Sequence, residues 1–388
     1  MICGVTAEYN PLHNGHVYQL NELRKNGADT IIAVMSGNFV QRGEPAICNK
    51  WLRARAAVEN GVDLVVELPS ALAVASAQRF AEASVGIMAR LGVDAIGFGC
   101  ECGDGELLKS TAEYFSGDEF NLKLKEFIAK GVNYPKAVTK AAGLYSYILL
   151  GANNSLAIEY IKATEKMIPD CQYIAVKRIG AGHDIQEAEG GFASASKIRE
   201  LILSGGEYKP FIPNKMASLL DKAIADGLAP ASLKRIERGI IAKLRTMSLE
   251  ELKAVPDVSE GLENRILAAA KSASDLKTLY DSVKSKRFTH ARIRRIIINA
   301  YLGTNASLQN SPVPYIRPLA FNKRGSELIK KAAERGLPIY TKSSKFADDS
   351  RCAEAFEQEA KAGLIYALCL PDPSKAIDDF RATPSVIL

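Results

Sequence analysis

Histidine is scarce in this chain, with four in 388 residues, and that scarcity limits its metal chemistry. A structural or catalytic zinc needs at least a third protein ligand beside a histidine pair. His13 and His16 stand together, but His183 and His290 lie outside any ligand-spaced cluster, so zinc is set aside and no metal ligands are assigned. The seven cysteines, Cys3, Cys48, Cys100, Cys102, Cys171, Cys352 and Cys369, include no C-x-x-C pair. Their odd number and scattered spacing lead us to expect reduced thiols. Cys100-Glu101-Cys102 reads as loop packing, not a redox pair. No run approaches the roughly 18 to 20 apolar residues of a membrane span. The N-terminus also has no charged leader with a small-residue cleavage site. The expectation is a cytoplasmic protein with no membrane partner and no obligate protein partner. There is no internal repeat and no low-complexity tract.

Hydrophobic residues make up 47% and charged residues 24%, an ordinary soluble composition with length enough for two or three domains. Over the first 200 residues, short strand-like runs alternate with helical spacing. The strands are read at Ile2 to Ala7, Thr30 to Met35, Asp63 to Leu68, Ala95 to Phe98 and Tyr173 to Val176. The helices are read at Lys50 to Asn60 and Ala77 to Leu91. This alternation predicts an α/β fold with a parallel, Rossmann-like sheet covered on both faces, whose ligands collect at the carboxyl ends of the strands.

Glu8-Tyr9-Asn10-Pro11-Leu12-His13-Asn14-Gly15-His16 lies at the first of those ends. Asn10-Pro11 breaks the strand, and Tyr18, Leu20 and Leu23 then give a helical apolar spacing. Free backbone N–H groups and the helix dipole favour an anion at this point, and Gly15 lets a phosphate approach. The rings of His13 and His16 add donors suited to attack on an α-phosphate. The bland alternative, two histidines on a helix surface, is outweighed by the strand-turn-helix context.

Ser194-Ala195-Ser196-Lys197-Ile198-Arg199 places hydroxyls and cations at the start of another helix, after Gly190-Gly191. Alone it reads as a serine cap with a solvated arginine. Together with the histidine turn it forms the second half of a triphosphate clamp, contributing Ser194, Ser196 and Arg199. The polar, glycine-containing stretch Ser36 to Pro45 reads as a ligand-contacting loop. Lys50, on the helix after it, is a candidate for an anionic substrate, although a solvated basic face with Arg53 and Arg55 explains it equally well. Gly97-Phe98-Gly99 allows a base or ribose to come close.

From about Pro210 the texture becomes helical, at Met216 to Ala225, Ile236 to Met247, Glu260 to Ser272 and Ala291 to Tyr301. Ser311 to Tyr315 and Phe321 to Gly325 punctuate it, and Leu337-Pro-Ile-Tyr reads as one more strand. The division expected is 1–210, a nucleotide-binding catalytic domain, and 211–388, a mainly helical basic domain. The net charge of +6 is too small to name a partner, but basic side chains outnumber acidic ones between Lys234 and Asp349. Lys284, Lys286, Arg287, Arg292, Arg294 and Arg295 surround Phe288 and His290 with no acid among them, a pattern suited to RNA phosphates. The alternative is a solvated helix terminus.

At these residues the chain resembles the tRNA(Met) cytidine acetate ligases, a bacterial family within the HxGH nucleotidyltransferase superfamily. The resemblance runs through Glu8 to His16, Ser36 to Pro45, Gly61 to Pro69, Asn153 to Tyr160, Lys177 to Gly180, Ser194 to Arg199 and Glu260 to Asn264. The departures are Leu12, where the family pattern usually carries Phe, and Gly182-His183-Asp184, which leaves the role of His183 open. The resemblance implies activation of acetate by ATP to acetyl-adenylate. It then implies transfer of the acetyl group to N4 of the wobble cytidine of elongator tRNA(Met). It further implies ATP contacts at Thr6, Ala7, Glu8, Tyr9, Asn10, Gly15 and Gln19, at Gly99, at Asn153 or Asn154, and at Arg178, with Mg²⁺ assisting. Two other readings remain: a small-molecule adenylyltransferase, and a non-catalytic RNA-binding protein that has kept an ATP fold.

Overall fold

The computed structural model describes residues 1–179 and 191–388, apart from the side chains of 347 and 348, so Gly180, Gly182-His183-Asp184 and Gly190 lie outside the described residues. Five strands are parallel: β1 (Ile2–Ala7), β2 (Thr30–Ser36), β3 (Leu64–Leu68), β4 (Ala95–Cys100) and β5 (Gln172–Lys177). They run in the order β5-β4-β1-β2-β3, so the order reverses at β1 and opens a crevice beyond its carboxyl end. In β1 and β2, Ile2 lies opposite Thr30 and Ala7 opposite Met35.

Helices cover both faces, which is why β2 is apolar almost throughout and does not alternate. Ile32 and Val34 pack with Val66, Phe80, Met88 and Ile158, whereas Ile31 and Met35 pack with Val5, Leu23, Trp51 and Ile198. The covering helices include α1 (Asn14–Lys25), α2 (Lys50–Glu59), α3 (Ala77–Leu91), α4 (Ala152–Met167) and α5 (Ala195–Ser204). Leu12 is fully buried in the second of these clusters, so its departure from the family pattern concerns packing.

A third core belongs to α6 (Glu237–Thr246), α7 (Leu262–Ser272), α8 (Leu276–Val283) and α9 (His290–Leu302). Ile240, Leu244, Ile266, Leu279 and Ile297 meet there. The division at residue 210 does not coincide with a break in the sheet. β6 (Pro318–Phe321) joins antiparallel to β3, and β7 (Ser385–Val386) pairs parallel with β6. The sequence reading took Phe321 to Gly325 as punctuation and placed a strand at Leu337 to Tyr340. That placement is corrected: the pairing there is a single bridge, Ile316 to Ile339. Pro318 sits where the register shifts between Val65 and Val66, a position at which a strand tolerates proline. Two more helices, α10 (Lys323–Glu334) and α11 (Ser350–Ala367), follow β6.

The assignment of Lys50 to a substrate carboxylate is also corrected. Its side chain is 0% exposed, and Nζ pairs with Glu67 at 2.5 Å, Asp379 at 2.9 Å and Glu359 at 3.2 Å. Arg317 joins the same cluster, 3.1 Å from Asp379 and 3.4 Å from Glu67. Three carboxylates against two cations leave one negative charge to be neutralised. Burial, reinforced by Glu67 and Asp379 and opposed by Lys50, pushes Glu359 up to about 8, so it carries a proton at neutral pH. The cluster ties α2 and β3 to α11 and the C-terminal segment.

Replacing Lys50 with Ala should cost about 3–5 kcal/mol, because it strands buried carboxylates. Glu359 holds a proton in the folded state that the unfolded chain has released, so its contribution is full in the acid range. Stability then declines as pH rises from the ordinary carboxylate range through about 8. Urea unfolding across that window should show the decline in the wild type and lose it in Glu359→Gln.

Candidate active site

β1 ends in a turn that the sequence makes tight: Tyr9 has φ 43° and the Asn10–Pro11 peptide is cis. His13 is the N-cap residue of α1, with φ −131° and ψ 170°, and His16 Nδ1 accepts from the His13 backbone N–H at 3.1 Å. That bond fixes the tautomer of neutral His16 and leaves Nε2–H as its donor. The two rings stack with centroids 3.6 Å apart and an interplanar angle of 19°. The ring of Tyr9 meets His16 edge-on at 5.0 Å. A Cβ on Gly15 would lie 3.0 Å from His13 Cε1, so glycine here keeps room for the first imidazole as well as for a ligand.

Burial, followed by the charge of Arg178, lowers His13 to about 3. Burial, His13 and Arg178 hold His16 well below the ordinary histidine range. Both are therefore neutral donors at physiological pH, and the positive charge of the cleft comes from arginine.

The turn opens into a cavity of about 510 Å³, within the span of ~300–1,000 Å³ usual for small-molecule sites. His13, His16, Ser194, Ser196, Arg199 and Arg178 all line it, so the structure brings the histidine turn and the serine-arginine segment into one cleft. Ser194 caps α5 by accepting from Lys197 N at 3.2 Å, and its Oγ lies 3.0 Å from Ser196 Oγ. Ser194 is thus a helix cap that also lines the cavity. Arg199 Nη1 donates to the Asn10 carbonyl at 2.8 Å, binding α5 to the histidine turn.

Thr6, Ala7, Glu8, Tyr9, Gln19 and Gly99 line the same cavity. Gly15 lines a smaller chamber that shares His13, His16, Gln19, Gly99 and Arg178 with it and adds apolar surface from Val176, Ile179 and Phe192. Asn10 is buried, with Oδ1 taken by Ile47 N at 2.7 Å. Asn153 lines the cavity, whereas Asn154 Oδ1 turns away to accept from Glu101 N and Cys102 N.

Sequence reasoning missed several cleft residues. Arg42 projects from a short ribbon, Phe39–Val40 paired with Glu44–Pro45, and lines the cavity without an ion pair among the described residues. The loop Ser36 to Pro45 carries the polar, glycine-containing signal of a ligand contact, but nothing in its composition singles out the arginine. Tyr160, on α4, was hidden inside an ordinary helical pattern. Glu101 caps α4 by accepting from Asn153 N at 3.1 Å and Asn154 N at 2.8 Å, which orients Asn153 toward the cleft.

A larger groove of about 900 Å³ meets the cleft at Glu44 and Arg199, and its far wall carries Lys234, Lys277, Tyr280, His290 and Arg294. Gly43, at φ +72°, packs so closely on α9 that a Cβ would lie 2.8 Å from the Arg294 carbonyl carbon. Arg294 pairs with Glu44 at 2.7 Å and stacks over Tyr280, its guanidinium 5.4 Å from the ring centroid. Of the six basic residues picked from sequence, only Arg294 lines this groove. Arg292 and Arg295 bind Asp257, and Arg287 pairs with Glu260 at 2.9 Å. Lys284 and Lys286 are exposed. The segment is free of acids in sequence but faces acids in space.

A doubly wound sheet with a cleft of imidazole, hydroxyl and guanidinium donors at its switch point defines a nucleotide-binding α/β protein of the nucleotidyl-transfer kind. The family described as HIGH nucleotidyl transferase matches residues 1–379. A relative from Caldicellulosiruptor bescii, named tRNA(Met) cytidine acetate ligase, is 36% identical, with 100% of this chain and 98% of the relative covered. One of the same name from Thermoanaerobacter sp. is 38% identical, with 98% of each covered. The fold is similar to that of Thermotoga maritima TmcAL bound with alpha-thio ATP: TM-score 0.90 and 30% identity, covering 100% of this chain and 99% of that one. The chain belongs to the HIGH nucleotidyl transferases and to the tRNA(Met) cytidine acetate ligase family.

Because both imidazoles are buried neutral, the stability they contribute is present above pH 6.5 and lost as pH falls toward about 3. NMR of the nucleotide-free protein should find the His13 and His16 rings unprotonated at pH 5. A midpoint between pH 6 and 7 for either ring would contradict the site described.

Proposed function

We propose that this chain activates acetate with ATP and transfers the acetyl group to N4 of the wobble cytidine of elongator tRNA(Met), which places its work in the cytoplasm. The observation that carries the reading is the convergence of His13, His16, Ser194, Ser196, Arg178 and Arg199 on one cleft. The relatives' name and the alpha-thio ATP bound to T. maritima TmcAL support it.

In the first step an acetate oxygen bonds to the α-phosphorus and pyrophosphate leaves. Both reactants are anions, and like charges about 4 Å apart repel by roughly 4 kcal/mol at an effective dielectric of 20. Arg178 and Arg199 offset this on the phosphates, and the histidine N–H groups and serine hydroxyls follow the charge as it moves to the leaving group. Arg42 is the cation left for the acetate carboxylate. The apolar chamber at Phe192 and Ile179 suits the adenine. Of the cleft's carboxylates, Glu44 is paired with Arg294 and Glu8 accepts from Gln41 N. A protein cage for Mg²⁺ is therefore absent among the described residues. The ion would be held by phosphate oxygens and water, its usual ligands, and would shield their charge.

The second step joins the cytidine amine to the acetyl carbon and expels AMP. A mixed anhydride is already activated, so positioning supplies much of the rate. An anticodon is a single-stranded loop whose base can be unstacked and presented to a pocket. The groove leading to Glu44 and Arg199 gives it a path.

Incubation with ATP, labelled acetate and bulk tRNA should put label on tRNA as N4-acetylcytidine. Unlabelled tRNA beside an adenylylated metabolite would establish the small-molecule adenylyltransferase instead. His13→Ala or His16→Ala should lower acetate-dependent ATP–pyrophosphate exchange by about 10²-fold or more while tRNA affinity stays nearly constant. Full exchange in His16→Ala would favour the non-catalytic RNA-binding reading. Removing charge at Lys284, Lys286 and Arg294 should weaken tRNA binding and flatten its salt dependence, by about 0.7–0.9 in the log–log slope per lost phosphate contact. Unchanged affinity at several salt concentrations would remove them from the interface.

A further inference from the structure

Glu8 is the one cleft-lining carboxylate without a cationic partner at ion-pair distance among the described residues, and it stands at the end of β1 beside His13 and Arg199. Its main-chain carbonyl is held by Arg53 Nη1 at 2.5 Å, and Arg53 is itself wholly buried and bound to the carbonyls of Ser36 at 3.1 Å and Cys48 at 3.0 Å. Its Oε1 accepts from Gln41 N at 3.0 Å. Oε2 makes no hydrogen bond among the described residues. The carboxylate is thus fixed on a rigid strand end with one oxygen available to the cleft.

An acid in that place works against a triphosphate, so its use has to lie elsewhere in the reaction. Activation releases no proton: acetate enters as an anion, its oxygen bonds to the α-phosphorus, and pyrophosphate leaves with the electron pair. Transfer does release one. The cytidine N4 lone pair bonds to the acetyl carbon, the carbon–oxygen bond to the phosphate breaks, AMP leaves with that electron pair, and the nitrogen must shed a proton to end as a neutral amide. The exocyclic amine of cytosine shares its lone pair with the ring and becomes acidic only as the new bond forms, so a fixed base is of most use at that stage. By then the β- and γ-phosphates have left.

We propose that Glu8 accepts the proton lost by cytidine N4 as the acetyl group is transferred. This assignment rests on the acetyl-transfer reading above. Burial raises the Glu8 carboxyl above its ordinary value, opposed by the Gln41 N–H and by Arg199, Arg42 and Arg53, which makes it a stronger base than a solvated carboxylate. The groups that face it are Arg42 on the ribbon, Arg53 on α2, Tyr160 on α4 and Arg199 on α5, with the neutral His13 and His16 on the turn.

The test separates the two steps in Glu8→Gln, which keeps the size and an acceptor for Gln41 N but loses the basicity. Acetate-dependent ATP–pyrophosphate exchange reads activation, and single-turnover acetylation of tRNA from preformed acetyl-adenylate reads transfer. The expected result is that transfer falls by about 10²-fold or more relative to exchange. Hydroxylamine, a nucleophile that needs no enzymic base, should still capture the acetyl group as acetohydroxamate. A parallel fall in both steps, or unimpaired transfer, overturns the proposal. The wild type gives an independent check that does not depend on the variant folding. Its transfer rate should decline with a single ionisation as pH is lowered while exchange does not share that limb, and a flat transfer profile overturns the proposal. Absence of acetate-dependent exchange in the wild type would refute the acetyl-transfer reading itself, and the role of Glu8 with it.

Discussion

The guanidinium of Arg53 is the point from which the cleft is built. Wholly buried, it donates to the carbonyls of Glu8, Ser36, Gly37 and Cys48, which belong to the ends of β1 and β2 and to the segment leading into α2. Strand ends at a switch point expose carbonyls that the sheet no longer pairs, and a buried carbonyl without a donor costs about 1–3 kcal/mol. One arginine, with five donors in a rigid fork, satisfies several of them and fixes two strand ends relative to each other. The histidine turn leaves one of those ends and the ribbon carrying Arg42 leaves the other. Their separation across the cleft is set by a side chain that is buried and does not line the cavity.

The ribbon is a joint between two bodies of structure. Gly43 lets its turn lie on the backbone of α9, and the Glu44–Arg294 pair fastens it from the side. A partner that engages α9 therefore acts on the same element that presents Arg42 to the cleft. The sheet makes the opposite connection through β6, β7 and the buried cluster around Lys50. The helical layer is held to the nucleotide-binding half at both ends.

The parallel strands and the long helices were legible because their periodicities come from burial on both faces or on one, and that pattern is written locally. Ala77 to Leu91 was read to the residue, and the histidine turn was recognisable because chain break, glycine and donors follow one another within nine positions. Lys50 was misread because its partners Glu359 and Asp379 lie more than three hundred residues away, and no window shows a lysine whether its neighbours in space are solvent or carboxylates. The acid-free run from Lys284 to Arg295 hides its spatial neighbours in the same way: Arg295 pairs with Asp257 and Arg287 with Glu260, acids that lie outside the run. β6 was obscured by Pro318, whose meaning depends on the bulge in its partner strand.

The charge states of the cleft follow one rule. In the proposed reaction the groups that meet phosphate oxygens throughout are arginines, whose charge survives burial. The groups that in that proposal follow a charge as it moves are neutral imidazoles and hydroxyls, which would donate without binding the ground-state anion so tightly that the leaving group is held back. A protonated His13 or His16 would add attraction to substrate and product alike. Stacking the two rings at 3.6 Å makes double protonation costly, and placing Arg178 beside them deepens that penalty. The packing that forces the imidazoles neutral is thus the same packing that leaves their N–H groups as responsive donors, so in this cleft the burial of the turn and its chemistry have a single physical origin.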